Sequence, residues 1–480
     1  MQSAEPAREA GPGPELPAAP SPPPSPDDRI AALLATAAGD EAAGRLDEAA
    51  TTLRQVLAAA PHHPAASHQL GIVLFRKGRL DEAAELMEQS IAGAPDSALF
   101  HRNLCEVYRA LGRYPDAVVV GRRAVALDPA DLHCHHNLGV LHYDRLDLDA
   151  AIACAEAALA IDPEFPGAHF GIAEASLLRG DFARGWEEYE WRFRLAGVPA
   201  LMPPTDRPQW DGAPLGRGER LLLVADQGYG DVIQFARYIP WAAARCAEIA
   251  VACSAELIPV IAQQEGVGTV FDHWDKKPDF AAYSALSGLP RLAHTVLETI
   301  PAQAPYLRAD PARAANWADR LGALLPRDYR RIGIVWAGRP THRNDRKRSV
   351  ELGLFAPLAR LPRVALVSLQ KGPAQRQIGT YWGRAPLLNL GPEIRDYADT
   401  IAALECLDLV VAVDTSIVHV AGAMGKPVWI MLPYAPDWRW LLGRSDSPWY
   451  PTARLFRQSE DRQWPPVMAT IASEAAALPR

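Results

Sequence analysis

The chain has 480 residues, is 49 % apolar and carries a formal net charge of −8. That length predicts about three domains with sizeable cores. The acidic balance speaks against nucleic acid as the main partner, and no apolar run reaches the roughly 18 residues of a membrane helix.

Residues 1–27 are rich in Pro, Ala, Gly and Ser and predict a disordered tail. They lack the basic-then-apolar order of a signal peptide. The six cysteines (Cys105, Cys134, Cys154, Cys246, Cys253, Cys406) show no CxxC spacing. They read as free thiols, and a cytoplasmic protein is expected.

Residues 28–195 repeat with a fixed period. Pro61, Pro95, Pro129 and Pro163 lie 34 residues apart, as do Ala49, Ala83, Ala117 and Ala151, with Gly185 next in that column. Gly44, Gly78, Gly112 and Gly180 share another column, in which Leu146 replaces one glycine. Leu70, Leu104, Leu138 and Ile172 fill a third. This is the tetratricopeptide period: two antiparallel helices per repeat, a small residue where they cross, and Pro at the exit. One repeat cannot bury its own apolar face, so the repeats must stack into an all-α solenoid. Repeats are expected at about 30–63, 64–97, 98–131 and 132–165, with a partial fifth from 166.

Gln69, Asn103 and Asn137 occupy one column of the first helices. Amides facing the groove of such an array can bond an extended peptide without reading its sequence. The same column also carries Asn merely as a common residue of these repeats. His133, Cys134, His135 and His136 resemble a metal cluster only in one dimension. Consecutive helical positions point in different directions, so no metal is assigned.

Residues 196–219, with Pro203, Pro204, Pro208 and Pro214, read as a linker. A first α/β unit is expected over 220–325. Leu221–Ala225 is its opening strand, followed by the turn Gln227-Gly228-Tyr229-Gly230-Asp231 and a helix from Val232 through Trp241. This order opens a Rossmann-like unit, without the full GxGxxG of a dinucleotide site.

A second unit is expected over 326–480. Its strand from Arg331 leads into the most basic loop of the chain, five cations within 339–348 (Arg339, Arg343, Arg346, Lys347, Arg348). A helix over Leu352–Leu361 follows, then strands at Val364–Leu369 and Leu387–Leu390, with Gln370 and Lys371 just after the first of these, and a helix from Tyr397. The apolar strand Leu409–Val413 ends at Asp414. There Thr415 or Ser416 can cap a helix through His419 to Met424, which Gly425 and Pro427 terminate. A strand-to-helix turn with free backbone N–H groups is where α/β proteins hold phosphate.

The glycine turn, the basic loop and Asp414-Thr415-Ser416-x-x-His419 together resemble the heptosyltransferase-like glycosyltransferases of GT-B fold. With the repeats in front, the layout is similar to that of bacterial proteins like the O-linked N-acetylglucosamine transferases. The run Asp437-Trp438-Arg439-Trp440 with Pro448-Trp449-Tyr450-Pro451 fits the repeat-fused branch. The resemblance covers roughly 30–460.

It implies an enzyme that moves a sugar from a nucleotide sugar with inversion, using no cofactor and no metal. The acceptor would be a protein or peptide hydroxyl held by the repeats. It implies Asp231 as general base, whose alternative role is an N-cap of the following helix. Gly228, Gly230, Arg346, Lys347, Arg348, Asp414, Thr415, Ser416 and His419 would bind the nucleotide sugar, with the cations and a helix start meeting the diphosphate charge. Against this stand a solvated basic loop, a packed His419 and a strand-end role for Asp414.

Gln227 and Gln370 are candidates for acceptor or base contact, and Lys371 for the diphosphate. The tryptophans 438, 440 and 449 and Tyr450 can stack a ligand or form core. The paired-threonine loop of the N-acetylglucosamine transferases is absent, so their donor preference does not carry over. The competing reading is a non-catalytic repeat scaffold with a degenerate transferase domain; a third is an epimerase of the same fold. A homodimer through the last repeat helices is a candidate assembly.

Overall fold

The computed structural model describes residues 25–342 and 344–479. Residues 1–24 of the tail expected over 1–27, and Arg343 of the basic loop, lie outside the described residues. Two compact units divide the chain between Pro129 and Ala130.

The first unit holds three antiparallel helix pairs: α1 (Pro26–Ala42) with α2 (Leu46–Ala59), α3 (Pro64–Arg76) with α4 (Leu80–Gly93), and α5 (Ala98–Ala110) with α6 (Tyr114–Leu127). α1 begins within the stretch assigned to the tail. Ser25 and Asp28 form a reciprocal capping box there. Ala49, Ala83 and Ala117 are fully buried where the paired helices cross.

The second unit opens with two further pairs, α7 (Leu132–Asp144) with α8 (Leu148–Ile161) and α9 (Pro166–Arg179) with α10 (Phe182–Tyr189). The glycine column explains itself across the array. Gly44, Gly78, Gly112 and Gly180 all turn the chain with φ between 75° and 93°. Leu146 takes the same left-handed place at φ 62°, a conformation that costs an L-residue about 1–2 kcal/mol. Its side chain packs against the core of this unit, which offsets the strain.

The segment 196–219 has no helix, yet it is pinned down. Gln209 bridges Tyr283, the Trp210 N–H donates to the Tyr283 carbonyl at 2.7 Å, and the Trp210 ring is buried. Two all-parallel sheets follow. The first has order β3-β2-β1-β4, with β1 Arg220–Val224, β2 Glu248–Ala252, β3 Val267–Phe271 and β4 Ala282–Ala285. The second has order β10-β9-β8-β5-β6-β7, with β5 Arg330–Val335, β6 Val364–Ser368, β7 Leu387–Asn389, β8 Leu409–Val413, β9 Val428–Leu432 and β10 Ala453–Arg457. Buried parallel strands must be apolar on both faces; β6, β8 and β9 are buried at every position. A tetratricopeptide solenoid followed by two α/β units of GT-B type is therefore the architecture.

Two expected helices differ. Leu352–Leu361 forms two short 3-10 turns, Leu352–Phe355 and Leu358–Arg360. Pro357 lacks the N–H that a continuous helix would use. The expected helix from Val232 to Trp241 starts earlier, at Tyr229, and runs as Tyr229–Phe235, a 3-10 turn, and Ile239–Ala243 with Pro240 in its first turn.

Candidate functional site

In a doubly wound parallel sheet, the strand order reverses at one point, and connections leaving opposite faces open a crevice there. The first sheet reverses between β1 and β4, the second between β5 and β8. The glycine turn follows β1 and the Asp414 turn follows β8, so both motifs stand at switch points. The two helices that leave these turns, Tyr229–Phe235 and Ser416–Ala423, pack against each other. A Cβ on Gly230 would come 2.7 Å from His419 Cδ2 and 3.4 Å from Ser416 Cα. Only glycine lets the two turns approach this closely.

Gly228 takes the N-cap position of the Tyr229 helix with no side chain to offer. Asp231 is therefore the third helical residue, and the N-cap role considered for it belongs to Gly228. One Asp231 carboxylate oxygen accepts from Arg439 Nη2, and the side chain keeps 24 % of its surface exposed. Burial, then the nearby Asp437 and Asp226 carboxylates, push its carboxyl above the ordinary aspartate value, against the pull of Arg439. Arg439 also donates to Gln234 Oε1 and to Asp437 Oδ1, and this acidic surrounding holds it charged.

On the facing turn, Thr415 caps the Ser416 helix by position alone. Its side chain makes no cap bond, and its Oγ1 is buried without a hydrogen-bond partner. The first-turn N–H groups of a helix have no intrahelical acceptor. Ser416 Oγ accepts from Tyr397 Oη at 2.8 Å, and the Tyr229 ring meets the Tyr397 ring edge-on at 5.6 Å.

His419 is buried and hydrogen-bonded through Nδ1 to Tyr450 Oη at 2.9 Å; its Nε2 lies 4.0 Å from Asp414 Oδ1. Burial and the cations Arg439, Arg237 and Arg348 drive its ring well below the usual histidine range, so it is neutral. Burial and Asp437 push Asp414 up to about 6, opposed by Arg348, Trp440 and Arg439.

The basic loop separates by position. Arg348 faces the Asp414 turn closely enough for its charge to act on both Asp414 and His419. Its buried Nε lacks a hydrogen bond and lies 3.7 Å from Asp345. Lys347 turns the other way, with Nζ 2.6 Å from Asp144 Oδ1 on α7, and Arg346 is exposed. The expected trio of cations therefore does not converge: Arg348 faces the Asp414 turn, while Lys347 ties the loop to the repeats.

Gln370 is consumed internally. Its Oε1 accepts from the Trp336 and Ala337 N–H groups, and its Nε2 donates to the Ala337 and Lys371 carbonyls. Lys371 Nζ donates to the Ile394 carbonyl. Gln227 is half-buried and donates to Asp226 at 3.4 Å. Trp438, Trp440, Trp449 and Tyr450 are buried and belong to the core. The cavity of about 480 Å³ lined by Leu352, Ala356, Gln377, Tyr381 and Trp382 shares none of these residues with the crevice.

In the repeats, Asn103 donates to His68 Nε2 at 3.0 Å, and Gln69 Oε1 is buried without a partner. Asn137, in the second unit, is half-buried. Cys134 is buried, and His133 and His136 set their edges against Phe165. No group of His, Cys, Asp or Glu among the described residues is arranged to hold a metal ion. No described helix is long and apolar enough to cross a membrane.

Sequence reasoning gave Arg439 and Tyr397 no role at the site, and it offered Tyr450 as a stacking or core residue without its bond to His419. An arginine between two tryptophans was the available signal for the first. Such a cation in an apolar run needs a buried partner.

Tetratricopeptide-repeat models match residues 41–104 and 74–138, and a second such model matches 136–190. The helical array is a tetratricopeptide array, an architecture suited to binding protein partners. Protein FlbA of Caulobacter vibrioides is 29 % identical over 334 residues, which is 63 % of this chain and 54 % of that protein. The chain spans about half the length of this curated relative. The matched share exceeds the tail and repeats together, so the likeness runs on into the α/β region. Among solved structures, MamA MSR-1 C2 is 26 % identical with a TM-score of 0.30, covering 35 % of this chain and 95 % of that one. Pseudomonas aeruginosa pilF is 19 % identical with a TM-score of 0.34, covering 36 % and 79 %.

Proposed function

We propose that the α/β half transfers a sugar from a nucleotide sugar to a hydroxyl of a protein or peptide brought by the repeats. The observation that carries this reading is the meeting of two turns. A partly exposed carboxylate, Asp231, stands at one turn, and a helix start with the unpartnered Thr415 hydroxyl stands at the other, where the Arg348 charge acts on Asp414 and His419. A nucleotide sugar needs both kinds of group. The acceptor oxygen attacks the anomeric carbon as its proton passes to Asp231. The bond from that carbon to the phosphate oxygen breaks, and the nucleoside diphosphate leaves with the electron pair. Arg348 and the Ser416 helix start meet its charge.

Asp231→Asn is the informative variant, because it leaves Arg439 Nη2 a neutral acceptor where alanine would take that acceptor away. It should cut transfer from UDP-, ADP- or GDP-sugars by about 10²–10⁴-fold, with the nucleotide-induced rise in melting temperature unchanged. Arg348→Ala should shrink that rise, and a chelator should leave transfer intact. Full transfer by Asp231→Asn ends the base assignment.

One observation favours the scaffold reading. Arg439 already occupies an Asp231 oxygen, and its positive charge opposes proton uptake by that carboxylate. If no nucleoside diphosphate raises the melting temperature, the α/β half is a docking platform for what the repeats bind.

A further inference from the structure

The last repeat ends in a short 3-10 turn, Glu190–Arg194, and its Arg192 is 3 % exposed. Arg192 Nη1 donates to the Tyr189 carbonyl at 2.7 Å and to Glu190 Oε1 at 3.0 Å; Nη2 donates to Ser287 Oγ at 2.5 Å and lies 3.5 Å from Asp226 Oδ2. Ser287 passes the link on: its hydroxyl donates to Asp226 Oδ2 at 2.5 Å and its N–H to Oδ1 at 3.2 Å. Asp226 follows β1 and Ser287 follows β4, the two strands that flank the switch point of the first sheet. The 286–288 turn that carries Ser287 packs on the Tyr229 helix. A buried carboxylate is tolerated only when paired and hydrogen-bonded, and the cation here comes from the repeat array.

We propose that Arg192 is a positioning residue for Asp231: by clamping Asp226 and Ser287 it fixes the glycine turn from which the Tyr229 helix starts. The catalytic consequence rests on the transferase reading; the coupling itself does not.

The groups facing Asp231 are Arg439 and Asp437 from the 437–440 segment, Asp226 from the end of β1 and Tyr189 from α10. Those facing Asp226 are Arg192, Ser287, Gln227 and Tyr189. Without Arg192, the Asp226 charge stands uncompensated. Its repulsion then makes Asp231 harder to ionise.

Arg192→Met, with Arg192→Lys as the conservative variant and Ser287→Ala as a milder break, tests this in the full-length protein. Unfolding midpoints of Arg192→Met, Asp231→Asn and the double variant between pH 4 and 8 form a cycle that needs no turnover. Coupling that grows as pH rises and Asp231 ionises supports the clamp; additivity at every pH overturns it. If Arg192→Met does not fold, the same cycle with Ser287→Ala decides. In transfer assays, the acid limb of kcat/KM should move up by about half a unit or more in Arg192→Met and largely return in Arg192→Lys. A merely structural role would lower the midpoint with the limb unmoved. Coupling in a protein that turns over no nucleotide sugar would keep the clamp and discard the transferase reading. Turnover with an unmoved limb and an additive cycle would do the reverse.

Discussion

Asp414 and His419 face each other at 4.0 Å with opposite pH behaviour. Asp414 is held up to about 6 when folded, against roughly 3.9 in an unfolded chain. Between those values the folded state keeps a proton that the unfolded state has released. Stability therefore falls as pH rises through that window, by up to about 3 kcal/mol for two units. His419 is driven below its ordinary value. The unfolded chain takes up its proton first as pH drops, so its contribution rises with pH. The two trends oppose each other in the same range. Asp414→Asn removes only the first. Relative to wild type, the variant should gain stability as pH goes from 4 to 6, by up to about 3 kcal/mol. Urea midpoints at three pH values check this, and a gap that stays constant with pH would refute the buried-acid account.

The elements that sequence revealed are those written locally. The 34-residue columns dictated the helix pairs, because each small residue and each left-handed turn acts within one repeat. The strands and turns before Asp231 and Asp414 were legible too, since switch-point turns are contiguous in the chain, although the helix after the first turn starts at Tyr229 and is broken before Trp241. Arg439 and Asp231 are 208 residues apart in sequence, and only packing brings them together. The divergence of Lys347 from Arg348 was hidden for the same reason, because its partner Asp144 lies on a repeat helix. The approach of the Tyr229 and Ser416 helices makes an element-scale prediction. Gly230→Ala places a methyl 2.7 Å from His419 Cδ2, and such overpacking costs about 1–3 kcal/mol. Gly353→Ala meets nothing within 4 Å and should change the denaturation midpoint by less than about 0.5 kcal/mol. Equal effects of the two would show that the helix contact is not tight.

At the scale of the molecule, the break between compact units falls inside the repeat array, after Pro129, and not at its end. The physical reason is aromatic. Phe182, Trp186 and Tyr189 of the last repeat are buried in one core with Trp438, Trp440 and Trp449. Trp186 meets Trp438 edge-on at 5.2 Å and donates its indole N–H to the Thr295 carbonyl at 3.0 Å. Removing one such ring costs about 3–5 kcal/mol, a large part of the stability of any domain. The last repeat is thus a layer of the α/β core as much as a member of the solenoid. A chain begun at residue 196 loses all three rings at once. It should bind the dye ANS and lose its sharp cooperative melt, whereas a chain begun at Ala130 keeps the rings and should melt cooperatively. If the shorter chain melts as sharply as the longer one, the aromatic layer is dispensable, and the last repeat belongs to the solenoid alone.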